Sequence, residues 1–126
     1  PTLSWINKSP KGSKHHRHWH PNSIVSGVFY FTINESTPIV FHKENDWGIE
    51  PNYKKYTIYN SSLFSIGFKP RALVLFPSSL KHSVPENQSD ETRYSLSFNT
   101  FSNSLLGNTN QLTYLNFKDL LTMEKK

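Results

Sequence analysis

The chain has no cysteine, a single methionine, five glycines and no long apolar run. Without cysteine there is no disulfide framework, thiolate zinc site, iron–sulfur cluster or cysteine nucleophile. The longest apolar runs, such as Ala72 to Phe76, are far short of the roughly 20 residues that a membrane-spanning helix needs. No basic-then-apolar leader opens the sequence, so a soluble cytoplasmic protein without a signal peptide is expected. Repeats and linkers are also missing, and residues 1–126 read as one domain. A chain of this length buries roughly two-thirds of its unfolded surface, enough for a core without disulfide or structural zinc.

What is present is basic and aromatic. The formal charge is +5 and aromatics make up 14% of the residues. The positive excess gathers at the ends, in Lys8, Lys11, Lys14, Arg17, Lys125 and Lys126, and forms no helix-length stripe. That distribution reads as a solubilising surface, with nucleic acid left as a minor alternative and no membrane partner. A homodimer is compatible with this surface.

Short β-branched and aromatic runs recur between turn residues. Strands are expected over Ser23–Ile33, Pro38–His42, Tyr56–Tyr59, Leu63–Phe68, Ala72–Phe76, Lys81–Val84 and Thr92–Thr100. Lys69-Pro70-Arg71 predicts a turn and Glu86–Glu91 a loop. Helical periodicity is confined to Phe117–Met123, where a short C-terminal helix is expected. The pattern predicts an all-β sandwich, jelly roll or barrel.

Four of the six histidines fall in His15-His16-Arg17-His18-Trp19-His20-Pro21-Asn22-Ser23. If this stretch is extended, His18 and His20 share a face, because side chains alternate with period two. Two imidazoles on one face, with a third ligand from elsewhere, make a facial set for a transition metal. A surface histidine tract or an engineered tag accounts for the same composition, but neither usually runs straight into an apolar strand. Further on, the apolar run ends at Pro77, and His82 follows in a short extended segment. On the next strand Arg93, Ser95, Ser97 and Asn99 share one face, and Tyr94, Leu96 and Phe98 the other. The apolar set should pack outward against another layer. The polar set then lines either water, with Arg93 an exposed sheet arginine, or a ligand cavity, where a buried arginine requires an anion and its fork suits a carboxylate.

These residues resemble the 2-oxoglutarate/iron(II)-dependent oxygenases, specifically a small group from bacteria and marine phages. The likeness runs through Ser4-Trp5-Ile6-Asn7, His18-Trp19-His20-Pro21-Asn22-Ser23 and Ser26-Gly27-Val28-Phe29-Tyr30. It continues through Leu73–Ser78, His82, Arg93-Tyr94-Ser95-Leu96-Ser97-Phe98-Asn99 and the tail Phe101–Leu115. The resemblance implies a double-stranded β-helix, the cupin-like jelly roll, carrying a dioxygenase that couples 2-oxoglutarate decarboxylation to substrate hydroxylation. It places metal ligands at His18 and His82, with Fe(II) as the metal and 2-oxoglutarate and dioxygen as cosubstrates. It gives Arg93 and Ser95 the far carboxylate of 2-oxoglutarate and sets Tyr30 close to it. One position departs from the pattern: where most members have Asp or Glu two residues after the first histidine, this chain has His20. The expected ligand set is therefore His18, His20 and His82, with Glu44 and Asp46 as remote carboxylate alternatives. Asn22 is a further candidate, as an oxygen ligand or as a partner of one.

Two other readings use the same residues: a cupin-like metal protein working without 2-oxoglutarate, and a jelly-roll binding module with an inactive site. Phe29, Tyr30, Phe76 and Phe98 are candidates for apolar packing around the pocket. The segment from His42 to Tyr59, with Trp47, Tyr53 and Tyr56, is either a lid carrying substrate specificity or a surface insertion. The primary substrate is not legible.

Overall fold

The computed structural model describes residues 1–32, 37–44, 48–49, 51–67, 69–103, 105–108, 110 and 113–117. Ten strands run through them: β1 Leu3–Ser9, β2 His15–His18, β3 Val25–Tyr30, β4 Ile39–His42, β5 Leu63–Ile66, β6 Leu73–Pro77, β7 Lys81–Val84, β8 Arg93–Thr100, β9 Leu105–Leu106 and β10 Leu115–Asn116. The chain is all-β. The helix expected over Phe117–Met123 lies, beyond Phe117, outside the described residues. No helix among the described residues is long and apolar enough to cross a membrane.

Eight strands form two four-stranded antiparallel sheets, ordered β1-β8-β3-β6 and β2-β7-β4-β5, while β9 and β10 pair separately. The pairing is nested: β1 with β8, β2 with β7, β3 with β6 and β4 with β5. The two sheets meet as a sandwich whose apolar centre is Ile39, Phe41 and Phe76, with Val28, Ile66, Val74 and Leu80 packed around it. Phe41 of one sheet and Phe76 of the other stand edge to face at 5.1 Å, a favourable arrangement for aromatic quadrupoles. This core fills only part of the interior. Beside it the inward positions of β8 are Arg93, Ser95 and Ser97, all buried. Polar groups on an inner face make a cavity wall, not a packed core.

The outer face of the first sheet is the opposite case. Ile6, Leu96, Phe29 and Leu73 stand in register across all four strands. Ile6 is 69% exposed and Leu73 53%, so no layer of the described residues covers their ends of the row. The outward packing expected of Tyr94, Leu96 and Phe98 is thus not supplied by these residues. Phe29 belongs to this outer row and not to the pocket.

Phe98 has a local function on the same face. It pairs with Gly27, and its ring fills the space that a side chain there would need. A methyl group at Gly27 would overlap the ring, with Cε1 and Cε2 at only 2.7 and 2.8 Å. The Gly27→Ala protein is expected to lose about 1–3 kcal/mol of stability through forced displacement of Phe98. Urea denaturation measures this, and adding Phe98→Leu should recover part of the loss if the overlap is its cause.

Most expected strands are present with shorter ends. One is not. Tyr56–Tyr59 is a turn region: Asn60 Oδ1 accepts from the Thr57 backbone N–H (2.6 Å) and hydroxyl (3.2 Å), and the Ser61 N–H donates to Thr57 O (2.9 Å). Local side-chain hydrogen bonds of this kind compete with strand pairing and here prevail over the aromatic β-propensity. Conversely, β1 was not expected, because its inward residues Trp5 and Asn7 face a polar cavity and give no apolar alternation.

Candidate metal and anion site

His18 and His82 occupy directly paired positions on β2 and β7, on one face of the second sheet. A register shift between His15 and His18 carries β2 into this pairing. Their rings stand 4.3 Å apart by centroid. His20 follows β2 and is anchored by its backbone N–H to Ser78 O (3.0 Å), at the end of β6. Its ring is 5.1 Å from each of the other two. One nitrogen from each of His18, His20 and His82 falls within 4.8 Å of the others, so the three can hold a metal ion. Imidazole donors suit iron, zinc, copper and nickel and are poor partners for magnesium or calcium.

Protonation favours the same use. His82 Nδ1 is 3.0 Å from Leu80 O and His18 Nδ1 is 2.8 Å from His16 O. A carbonyl only accepts, so each Nδ1 carries a proton, and in the neutral ring Nε2 is the atom with the free lone pair. Burial beside Phe76 and Phe41 pushes the His82 pKa down to about 4, with the Leu80 carbonyl opposing and the neighbouring imidazoles adding to the fall. Burial also lowers His20, followed by the effect of His18 and His15. His82 and His20 are therefore neutral imidazoles at neutral pH.

The same cavity is lined by Arg93, with Trp5, Asn7, His15, Ser26, Tyr30, Ser95, Ser97 and Asn99. Its lining, among the described residues, contains no aspartate or glutamate. Arg93 is 7% exposed and lies over the Tyr30 ring at 5.8 Å. Its Nη1 donates to Thr37 O (3.0 Å), and its Nε has no hydrogen-bond partner. No carboxylate among the described residues pairs with it. A buried guanidinium with an idle N–H is a costly arrangement that a bound anion relieves. Burial lowers the Arg93 pKa and raises that of Tyr30 to about 12, so the phenol is neutral. Ser95, two residues on, is buried beside it.

A family model described as "Putative 2OG-Fe(II) oxygenase" matches residues 3–99. The chain belongs to this family. Membership implies an oxidoreductase with iron(II), 2-oxoglutarate and dioxygen as its cofactor and cosubstrates. The residues present fit that pairing: three imidazoles for the metal, and a buried unpaired Arg93 N–H for a carboxylate. No curated protein matches the chain significantly.

Other candidates lie elsewhere. Asn22 is exposed in a left-handed turn (φ 56°) and does not line the cavity of this oxygenase-family chain. Glu44 is held at the surface by Arg17 (2.6 Å) and Lys81 (2.5 Å) and does not line the cavity. Asp46 and Trp47 lie outside the described residues. No described residue of the His42–Tyr59 segment lines the cavity, and Tyr53 and Tyr56 pack on each other at 6.0 Å. Asn7, Ser26 and Ser78 were not singled out from sequence. Asn7 donates to Ser97 Oγ (2.8 Å) and accepts from Trp5 Nε1 (3.1 Å), stiffening the wall beside His20. Parity with Tyr30 along β3 was the signal available for Ser26.

Proposed function

We propose that residues 1–126 form a single domain with 2-oxoglutarate- and iron(II)-dependent dioxygenase activity, acting as a hydroxylase. The observation that carries this reading is the buried Arg93, unpaired at Nε, in the same cavity as three histidines that can hold a metal. His18, His20 and His82 hold the iron. Arg93 and Ser95 take the distal carboxylate of 2-oxoglutarate, and Tyr30 braces the guanidinium through its ring face. Bound iron supplies dioxygen activation, coupled to decarboxylation of 2-oxoglutarate to succinate and oxidation of the primary substrate. The protein's own residues orient the dicarboxylate, keep the ligand nitrogens deprotonated and limit water in the cavity. The nested strand pairing supports a jelly-roll reading of the sandwich, since rolling up one long antiparallel ribbon produces that order.

Anaerobic addition of Fe(II) and 2-oxoglutarate is expected to produce the visible charge-transfer band of the chelated cosubstrate. Admission of air should then release succinate. A metal-loaded protein with no band and no 2-oxoglutarate binding would refute the dioxygenase reading. That result favours the second reading, a cupin-like metal protein, which the all-imidazole set and the lack of an acidic lining residue among the described residues also support.

A further inference from the structure

His20 is held differently from its two neighbours. His18 and His82 rest their Nδ1 atoms on backbone carbonyls, whereas His20 Nδ1 meets the side-chain amide of Asn99 at 3.4 Å. An amide offers both a donor and an acceptor, so this contact alone leaves the His20 tautomer open. The far side of the amide favours one of the two. Asn99 meets Ser26 Oγ (2.8 Å), Ser26 Oγ meets Ser78 Oγ (2.8 Å), Ser78 Oγ meets Ser23 Oγ (2.7 Å), and Ser23 Oγ meets Thr100 O (3.0 Å). Ser26 is 1% exposed and Ser78 0%, so water does not replace these contacts readily.

These are four contacts, and each needs one proton. The three hydroxyls supply three. With Asn99 Oδ1 toward Ser26 and Nδ2 toward His20, the hydroxyls all donate toward Asn99. The Ser23–Thr100 O contact (3.0 Å) is then left with two facing lone pairs, and Ser23 Oγ keeps only the longer contact from the Thr100 N–H (3.3 Å) at that end. Turning the amide over removes the deficit, because Nδ2 then donates to Ser26. Ser26 donates to Ser78, Ser78 to Ser23, and Ser23 to the Thr100 carbonyl. Asn99 Oδ1 then faces His20 and accepts Nδ1–H, leaving His20 Nε2 bare.

We propose that Asn99 is the positioning residue of the third imidazole, its amide oriented by the Ser26–Ser78–Ser23 chain so that His20 offers Nε2 to the metal. This rests on the metal-site part of the proposed function. It explains how a histidine serves in a position where a carboxylate would need no tautomer control. Outer partners of this kind typically change metal affinity 10- to 100-fold when removed.

The test uses Co(II) and Zn(II) alone, without 2-oxoglutarate, so failure of the cosubstrate reading does not alter its result. Asn99→Ala is expected to weaken Co(II) binding by roughly 10- to 100-fold. Asn99→Asp, which still accepts the Nδ1 proton but gives none to Ser26, should restore part of it, and Ser78→Ala should fall between wild type and Asn99→Ala. In Zn(II)-loaded protein, long-range proton–nitrogen correlation should show His20 protonated at Nδ1, a signature that blurs in Asn99→Ala. Far-ultraviolet circular dichroism establishes that each variant folds, and the conservative Asn99→Asp carries the test if Asn99→Ala does not. Unchanged Co(II) affinity in Asn99→Ala, or a wild-type His20 protonated at Nε2, would overturn the proposal. So would a wild-type protein that binds no Co(II).

Discussion

Replacing His82 by alanine is expected to lower Co(II) or Fe(II) affinity by on the order of 1000-fold or more, beyond the roughly 100-fold at which loss of an outer partner tops out. His82 is the most buried of the three histidines, and burial holds it neutral, so little proton competition is lost with it. The informative comparison is His16→Ala. A second cluster, His15, His16 and His18, shares His18 with the first and is largely exposed. His16 holds the His18 ring through its backbone carbonyl, which alanine retains. Metal affinity in His16→Ala should therefore stay near wild type. Isothermal titration of both variants separates the sites: if His16→Ala loses the metal and His82→Ala keeps it, the ion sits on the surface cluster and the buried triad is not the centre.

The second large effect concerns Arg93. Arg93→Met is expected to weaken 2-oxoglutarate binding to the Fe(II)-loaded protein by roughly 30- to 1000-fold, the equivalent of about 2–4 kcal/mol for truncating one side of a buried charged pair. Metal affinity should be unaffected. Arg93→Lys keeps the charge but loses the planar fork, and should retain only part of the affinity. Stability moves the other way. In the ligand-free protein the guanidinium is buried with Nε unpaired, so a methionine of similar reach should raise the denaturation midpoint. Adding 2-oxoglutarate should then raise the thermal midpoint of wild type but not of Arg93→Met, because only a ligand that binds the folded state shifts it. A destabilised Arg93→Met protein that still binds 2-oxoglutarate would show that Arg93 is a structural residue.

How much of this was legible beforehand depends on the range of the interaction. β8 could be read directly: its alternation of Arg93, Ser95 and Ser97 against Tyr94, Leu96 and Phe98 is the period-two signal of a strand between two environments. β7 and β4 were bounded by proline and polar residues and lie within a residue of expectation. β1 was not legible, because its cavity-facing side is polar and the usual apolar marker is missing. Tyr56–Tyr59 misled for the converse reason: strand-like side chains were overruled by Asn60, whose local hydrogen bonds fold the backbone back.

The site divides in the same way. Composition by itself determined that any metal here is held without thiolate, since there is no cysteine. Spacing picked out His18 and His20 as near neighbours, and the Arg93 face as polar and inward. Only the tertiary structure decided that His82, 64 positions beyond His18 in the chain, stands directly opposite it across two strands. Only it showed that Arg93 has no carboxylate partner among the described residues and that Asn99, Ser26, Ser78 and Ser23 form one hydrogen-bonded chain. The physical reason is one of range. Side-chain alternation and turn chemistry act over a few residues, whereas a ligand set, an unpaired charge and a count of shared protons depend on strands from distant parts of the chain meeting in one register.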